Sequence, residues 1–405
     1  MRTALVLAGG AARGAYEVGV VRHVVDDVAR SLGRDVPLDL LCGTSIGALN
    51  VCGLAAWAEE PRGRAERLEA YWKALRLNDA VRVDALEAVG LGLGLLGLPK
   101  PKRLAGGLLD PAALQRTVRN APFERIGENL RAGRLAGLSV STTHVSSGRT
   151  FVFIQQAEAA HLPRFRDPWV VARPAVITPE HALASAAIPL LFPAMKLEGS
   201  YHVDGSLRQN TPMLPARVLG AEAMVVVNAQ WLPPRTRIDE GAEEPAPGPL
   251  FLIGKALDAL LLDRIDADLE QVARLNQTLA AGAREFGPDF TRRLARAMGE
   301  DEAHALRPLD VVMVRASENI GFLAKDHVRS EAFRKRHHGL LEVAMRRLAE
   351  VDDHHEADFL SYLLFDGEFA AQLMELGRRD AARHHEALCA LFAAAIASRE
   401  PGAPR

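Results

Sequence analysis

Gly43-Thr44-Ser45-Ile46-Gly47 sets a serine hydroxyl between two glycines, with the apolar run Leu38 to Cys42 before it and a helix-like pattern from Ala48 to Ala58 after it. A serine at a sharp strand-to-helix turn of this kind projects its Oγ from the edge of a sheet, where it can serve as a nucleophile. The helix N-terminus that follows favours negative charge developing nearby. A nucleophilic serine also needs a proton acceptor and a stabiliser for an oxyanion. Two further motifs offer them. Gly9-Gly10-Ala11-Ala12-Arg13-Gly14 is a small-residue loop that follows the first apolar strand and could turn its amides toward the space above Ser45. Asp204-Gly205-Ser206, entered through Tyr201-His202-Val203, supplies a carboxylate. The glycine loop lacks GxGxxG spacing, and Ala15 and Tyr16 stand where a phosphate loop would carry Lys and then Ser or Thr.

These motifs require a parallel sheet to bring them to one edge. The first third reads as strand 3 to 8, helix 14 to 31 with Val18, Val21, Val25 and Val28 on its apolar face, strand 38 to 42, and the helix after Ser45. That order predicts an α/β fold with a largely parallel central sheet covered by helices. Helical patterns follow at Arg64 to Leu77 and Pro111 to Arg119. Leu135 to Thr143 and Thr150 to Gln155 alternate around Ser146-Ser147-Gly148 as a hairpin. A short helix near 180 to 187, strands near 194 to 203 and a buried strand Ala223 to Asn228 complete a block covering residues 1–230. Residues 231–250 read as a Pro/Glu/Gly-rich loop, and residues 251–405 as a mostly helical extension (251 to 283, 329 to 349, 354 to 398). One isolated strand, 309–314, is expected to return to the main sheet.

With 405 residues, 48% of them hydrophobic, the chain can bury a large core. A formal net charge of −2 argues against a dedicated nucleic-acid binder. Cys42, Cys52 and Cys389 show neither disulfide pairing nor metal spacing, and read as thiols of a reducing compartment. The strand at 3 to 8 leaves no room for a signal-peptide hydrophobic region, and the longest apolar stretch, Val89 to Leu98, is shorter than the roughly 18 residues a spanning helix needs. A cytoplasmic location is expected, with peripheral membrane contact.

Taken together, the glycine loop ending in Arg-Gly, GxSxG, the segment Ala184-Ser185-Ala186-Ala187-Ile188-Pro189 and Asp204-Gly205-Ser206 resemble, in the same order, the motifs of the patatin-like phospholipase family. The resemblance covers residues 1 to about 230, with a weaker echo at Leu309 to Ser317 and Phe359 to Ala381. It implies a three-layer fold and a Ser-Asp dyad, Ser45 as nucleophile and Asp204 as base, with no cofactor and no metal. It also implies an oxyanion hole from the amides of Gly10, Ala11 and Ala12. Gly9, Arg13 and Gly14 support that loop, Arg13 bracing it or meeting a lipid phosphate; a structural ion pair is the competing role for Arg13. Gly43 and Gly47 shape the elbow, and Gly205 and Ser206 complete the aspartate motif. Ala11 stands at the family's third loop glycine, so a positive φ there would be strained. Ser206 replaces a Gly or Ala.

The implied activity is hydrolysis of fatty-acyl esters of phospholipids or lysophospholipids through an acyl-serine, with a phospholipid or membrane surface as partner. A soluble carboxylesterase acting on small esters is the alternative, as is a catalytically silent lipid-binding module. A Ser-His-Asp arrangement would need a histidine such as His327 or His202. Asp352-Asp353-His354-His355-Glu356 reads as a solvated helix face and not a metal site. The glycine-interrupted stretch Leu86 to Leu98, followed by Lys100, Lys102 and Arg103, is either an interfacial lid or a segment buried under C-terminal helices.

Overall fold

The computed structural model describes residues 1–77, 82–83, 109–110, 112–157, 165, 167–189, 191–232, 265–299, 306–337, 345–346, 349 and 358–400. The expected lid at 86–98, nearly all of the 231–250 loop, residues 251–264 and the stretch Asp352 to Glu356 lie outside the described residues.

In chain order the elements are β1 (Thr3–Leu7), α1 (Gly14–His23), α2 (Ala29–Leu32), β2 (Leu40–Thr44), α3 (Ile46–Ala56), α4 (Gly63–Ala74), β3 (Arg82–Val83), β4 (Leu109–Asp110), α5 (Ala112–Arg119) and α6 (Glu124–Arg131). Next come β5 (Gly137–His144), β6 (Thr150–Gln155), β7 (Val170–Pro174), α7 (Pro179–Ser185), β8 (Met195–Leu197), β9 (Ser200–Asp204), α8 (Met213–Val218) and β10 (Ala223–Asn228). The remainder is α9 (Ile265–Phe286), α10 (Phe290–Ala297), β11 (Asp310–Arg315), α11 (Ile320–Arg329), α12 (Glu331–Arg336), α13 (Asp358–Leu363), α14 (Gly367–Arg383) and α15 (His385–Ala397).

The main sheet runs β11-β10-β1-β2-β5-β6-β7, and β9, carrying β8 on its far side, pairs with β5. The pairs from β11 through β5 are parallel. Antiparallel pairing within this sheet is confined to β5/β6, β5/β9 and β8/β9. Strands covered on both faces read as continuous apolar runs, and Ala-Leu-Val-Leu in β1 and Met-Val-Val-Val in β10 do so. Each face has its own core. Leu5, Leu7, Leu41, Val140 and Val225 belong to the core that includes Val18 and Val21 of α1, Val51 of α3, and Phe369, Leu373 and Phe392 of the C-terminal helices. Val6, Leu40, Cys42 and Val226 meet α8 and α9 on the other face. A three-layer α/β arrangement results.

Three elements differ from expectation. The helix expected over 329 to 349 is interrupted at Ser330, whose hydroxyl caps α12, and again at His337. The helix expected over 14 to 31 is interrupted by a π-helical stretch, Val24–Val28, which inserts a residue and re-aims Val25 and Val28 into the same core. The helix expected over 354 to 398 is three helices, broken before Gly367 and again at His384. Asp366 caps the middle one, its carboxylate accepting from the Glu368 and Phe369 amides. The strand near 309 to 314 does join the sheet, as its outermost member beside β10. The C-terminal helices share the N-terminal core because α14 lies against α1. At Gly19 an added Cβ would stand 1.9 Å from the Met374 carbonyl oxygen, a closeness only glycine permits.

Candidate active site

The site is set where β2 stops and β9 arrives in its place beside β5. Thr44, the last residue of β2, pairs with Ser141, and Asp204, the last of β9, pairs with Thr142, the next residue along β5. Ser45 and Asp204 therefore reach the same point from strands running in opposite senses. Ser45 Oγ donates to Asp204 Oδ2 at 2.5 Å. Asp204 Oδ1 accepts from the Ser206 amide at 2.8 Å, so both carboxylate oxygens are engaged. Thr143 Oγ1 donates to the Asp204 carbonyl, and the Asp204 amide donates to Ala187 O. Asp204 has no exposed surface. Burial pushes its pKa up to about 6, against the lowering effect of its hydrogen bonds from Ser45 and Ser206.

Ser45 itself sits at φ 55° and ψ −128°, a conformation costly for a residue with a side chain. Its amide is secured by Ser185 Oγ at 2.8 Å, and that hydroxyl donates in turn to Ser141 O at 2.6 Å. The Ala-Ser-x-Ala-x-Pro segment thus has a physical role here: Ser185 holds the turn and Ala187 holds Asp204. The role of Ser185 is not evident from the motif alone, although a lone hydroxyl in an otherwise apolar stretch is the kind of signal that marks a backbone brace.

Gly43 lies within β2, paired with Leu7 and Val140. Gly47, in the first turn of α3, is packed so that an added Cβ would stand 2.4 Å from Leu7 O and 2.6 Å from Ala8 O. Backbone carbonyls of a central strand cannot yield, so Gly47→Ala is expected to push α3 off β1. Thermal denaturation should register a loss of about 2–3 kcal/mol.

The glycine loop is fixed from both sides. The Gly9 amide donates to Asn210 O at 3.1 Å, tying the loop to the segment just past the aspartate motif. Ala11 opens a 3₁₀ turn, Ala11–Arg13, with φ 48°, the positive value that strains a residue other than glycine. Among the described residues, the Gly10 and Ala11 amides donate no hydrogen bond. Gly14 begins α1, and its carbonyl accepts from Asn50 Nδ2. The same Nδ2 donates to Glu17, whose carboxyl burial pushes well above the usual range, and Asn50 Oδ1 accepts from Trp72 Nε1. This buried network joins the loop to the helix that follows Ser45.

Arg13 is 6% exposed and turns inward. Its Nε donates to Ser361 Oγ of α13 at 2.7 Å, and its guanidinium lies 4.0 Å above the Tyr362 ring. The basic side chain is gripped by the C-terminal region and is not presented to solvent, where a lipid phosphate would meet it.

No imidazole stands between Ser45 and Asp204. His202 shares the face of β9 with Asp204, but its Nδ1 bonds Thr142 Oγ1 at 2.9 Å and its ring is packed among His144, Phe151 and Phe153. Burial, with His144 and His181 nearby, pushes its pKa down to about 4. His327 is engaged by Asp366 and Gln372 in the C-terminal helices. Ser206 contributes its amide to Asp204, and Gly205 starts the 3₁₀ turn that brings that amide back.

No curated protein matches the chain. Among solved structures, the crystal structure of VipD from Legionella pneumophila is similar at 11% identity and a TM-score of 0.36, over 95% of this chain and 67% of that one. The family model for patatin-like phospholipase matches residues 5–217, a span that starts within β1, takes in the glycine loop, the Ser45 elbow and the Asp204 turn, and ends in α8. Because that match extends over more than half of its length, the chain belongs to the patatin-like phospholipase family and is a lipid acyl hydrolase.

Proposed function

We propose that the protein hydrolyses fatty-acyl esters of phospholipids or lysophospholipids at a Ser45–Asp204 dyad through an acyl-enzyme, acting at a membrane surface from the cytoplasm. The observation that carries this reading is the 2.5 Å hydrogen bond from Ser45 Oγ to a carboxylate with no exposed surface. In the first half-reaction Asp204 takes the Ser45 proton as Oγ attacks the ester carbonyl carbon. The resulting oxyanion is met by the Gly10 and Ala11 amides, with Ala12 beside them, and by the positive end of α3. Collapse breaks the ester C–O bond, and protonated Asp204 returns its proton to the departing alcohol oxygen. In the second half-reaction a water adds to the acyl carbon and gives its proton to Asp204. The fatty acid then leaves and the proton returns to Ser45 Oγ.

An unionised serine is a poor nucleophile, and an ordinary carboxylate of pKa near 4 is a poor base for it. The dry surroundings of Asp204 strengthen that base, and the short contact fixes its direction. No helix among the described residues is long and apolar enough to cross a membrane.

A fluorophosphonate should label the wild-type protein at Ser45 and leave Ser45→Ala unlabelled. Phospholipid or lysophospholipid turnover should vanish in the same variant. Turnover confined to short soluble esters would favour the carboxylesterase, and neither labelling nor turnover would leave a lipid-binding module.

A further inference from the structure

The end of the sheet at which Ser45 and Asp204 meet carries an exposed aromatic and basic surface that the reaction does not use. β9 and β5 continue outward from Asp204 and Thr142 through the pair His202 and His144, and then the Val145 amide donates to Tyr201 O at 2.9 Å. Lys196 pairs with Tyr201 on the β8 side. On the β6 side the Thr150 amide donates to Trp169 O at 2.8 Å, which sets Trp169 beside the turn that joins β5 to β6. Val145 is 50% exposed, Trp169 49% and Tyr201 55%. Three residues of strand separate Val145 from Thr142, or about 10 Å. The patch therefore adjoins the site without being part of it.

Four exposed cations border it: Arg149, Arg173, Lys196 and Arg208. Arg208 follows Asp204 by four residues and stacks its guanidinium 4.3 Å over the Trp169 ring. Arg173 stands 5.4 Å over the Phe151 ring. Among the described residues none of the four forms an ion pair, although Asp167 and Glu198 are exposed on the same segments. Among the described residues, these four cations outnumber Asp167, whose carboxylate accepts from the Trp169 amide at 2.8 Å, and Glu198, so a chain of net charge −2 carries a net positive edge around a tryptophan and a tyrosine. Such amphipathic rings settle at the headgroup level of a bilayer, and arginines and lysines beside them are drawn to anionic lipid.

We infer that this edge, Val145, Trp169 and Tyr201 with Arg149, Arg173, Lys196 and Arg208, is the surface by which the protein docks on bilayers containing anionic phospholipid. The inference rests on the membrane reading above and supplies its contact residues. Docking there places Ser45 next to the lipid instead of relying on collision of the whole molecule. Electrostatic attraction should make recruitment weaken with salt, and insertion of the rings should leave a part that salt does not remove.

The test separates docking from catalysis by using Ser45→Ala protein for binding and Ser45-containing protein for turnover of a soluble short-chain nitrophenyl ester. Vesicles are of phosphatidylcholine alone or of phosphatidylcholine mixed with phosphatidylglycerol. Binding should be at least tenfold tighter to the mixed vesicles. Arg149→Glu with Arg208→Glu should remove that preference. Trp169→Ala with Tyr201→Ala should weaken binding at every salt concentration. Both pairs should keep soluble-ester turnover and the wild-type melting temperature, as should Arg284→Glu with Arg293→Glu, a charge reversal on α9 and α10 that should leave vesicle binding unchanged.

Equal binding to the two vesicle types would overturn the inference, as would binding that survives the edge substitutions or falls equally with the α9 and α10 reversal. If a substituted pair proves unfolded, the single Tyr201→Ser variant, at an exposed position, should still bind mixed vesicles more weakly than wild type, and undiminished binding there would equally overturn the inference. Docking through this edge by a protein that turns over no ester would overturn the catalytic reading alone.

Discussion

Asp204→Asn should lower kcat/KM by roughly 10³-fold or more while making the protein harder to unfold. The two effects have one cause. With the folded-state pKa raised to about 6 from an ordinary 3.8, the carboxyl holds its proton more tightly in the native protein than in the unfolded chain. Its stabilising contribution is therefore complete below about pH 3.8 and is lost as pH rises through about 6. At neutral pH the ionised form costs the fold roughly 3 kcal/mol. Asparagine removes the charge and can still satisfy both neighbours, its oxygen accepting from the Ser206 amide and its NH₂ donating to Ser45 Oγ. Melting curves at pH 8 should place the variant above wild type, with the gap closing toward pH 4. In wild type, kcat/KM should climb to a plateau with an apparent pKa of about 6, the pH at which the base becomes available. A variant that keeps its activity, or a wild-type rate flat between pH 5 and 8, would remove Asp204 from the role of base.

The second large effect is expected at Arg13, whose side chain turns away from Ser45 into the C-terminal helices. Arg13→Ala deletes a buried side chain, its bond to Ser361 and its stacking on Tyr362. We expect kcat on a soluble ester to fall by about 10–100-fold with KM little changed, since a loop displaced by an ångström loses transition-state stabilisation before it loses binding. The rate of Ser45 labelling by a fluorophosphonate should fall in parallel, which lowered stability alone would not produce at a temperature where the variant is folded. Arg13→Lys should recover little, because an ammonium neither donates in a guanidinium's plane nor stacks as one. Labelling at the wild-type rate in Arg13→Ala would show that the loop does not depend on this grip.

The convergence of Ser45 and Asp204 was legible because such motifs restrict the residue types they carry, and the elbow because glycines are demanded where backbones come together, as at Gly47. Strands β1, β2 and β10 were legible for a different reason: burial on both faces leaves unbroken apolar runs. What escaped was long-range. Nothing near Arg13 indicates that a serine and a tyrosine 348 and 349 positions later will close over it. Ser185 was visible as a motif residue, but its bond to the Ser45 amide depends on α7 crossing β5. The π-helical stretch at Val24–Val28 was hidden because four valines at near-helical spacing fit an uninterrupted helix equally well. The arrival of β9 beside β5, where β2 ends, could not be read from two short strands near 194 to 203. It decides where Asp204 meets Ser45.

The grip on Arg13 also orders events in time. A ribosome adding about 5–20 residues per second completes the elbow and the glycine loop early, and needs roughly 20–70 s more to reach Ser361. Throughout that interval the nascent chain carries its serine and, once residue 204 is made, its carboxylate, but not the helix that fixes the loop between them. Chains that end before α13 lack the Ser361 and Tyr362 contacts to Arg13, and are expected to show the same reduction in kcat, about 10–100-fold, as Arg13→Ala.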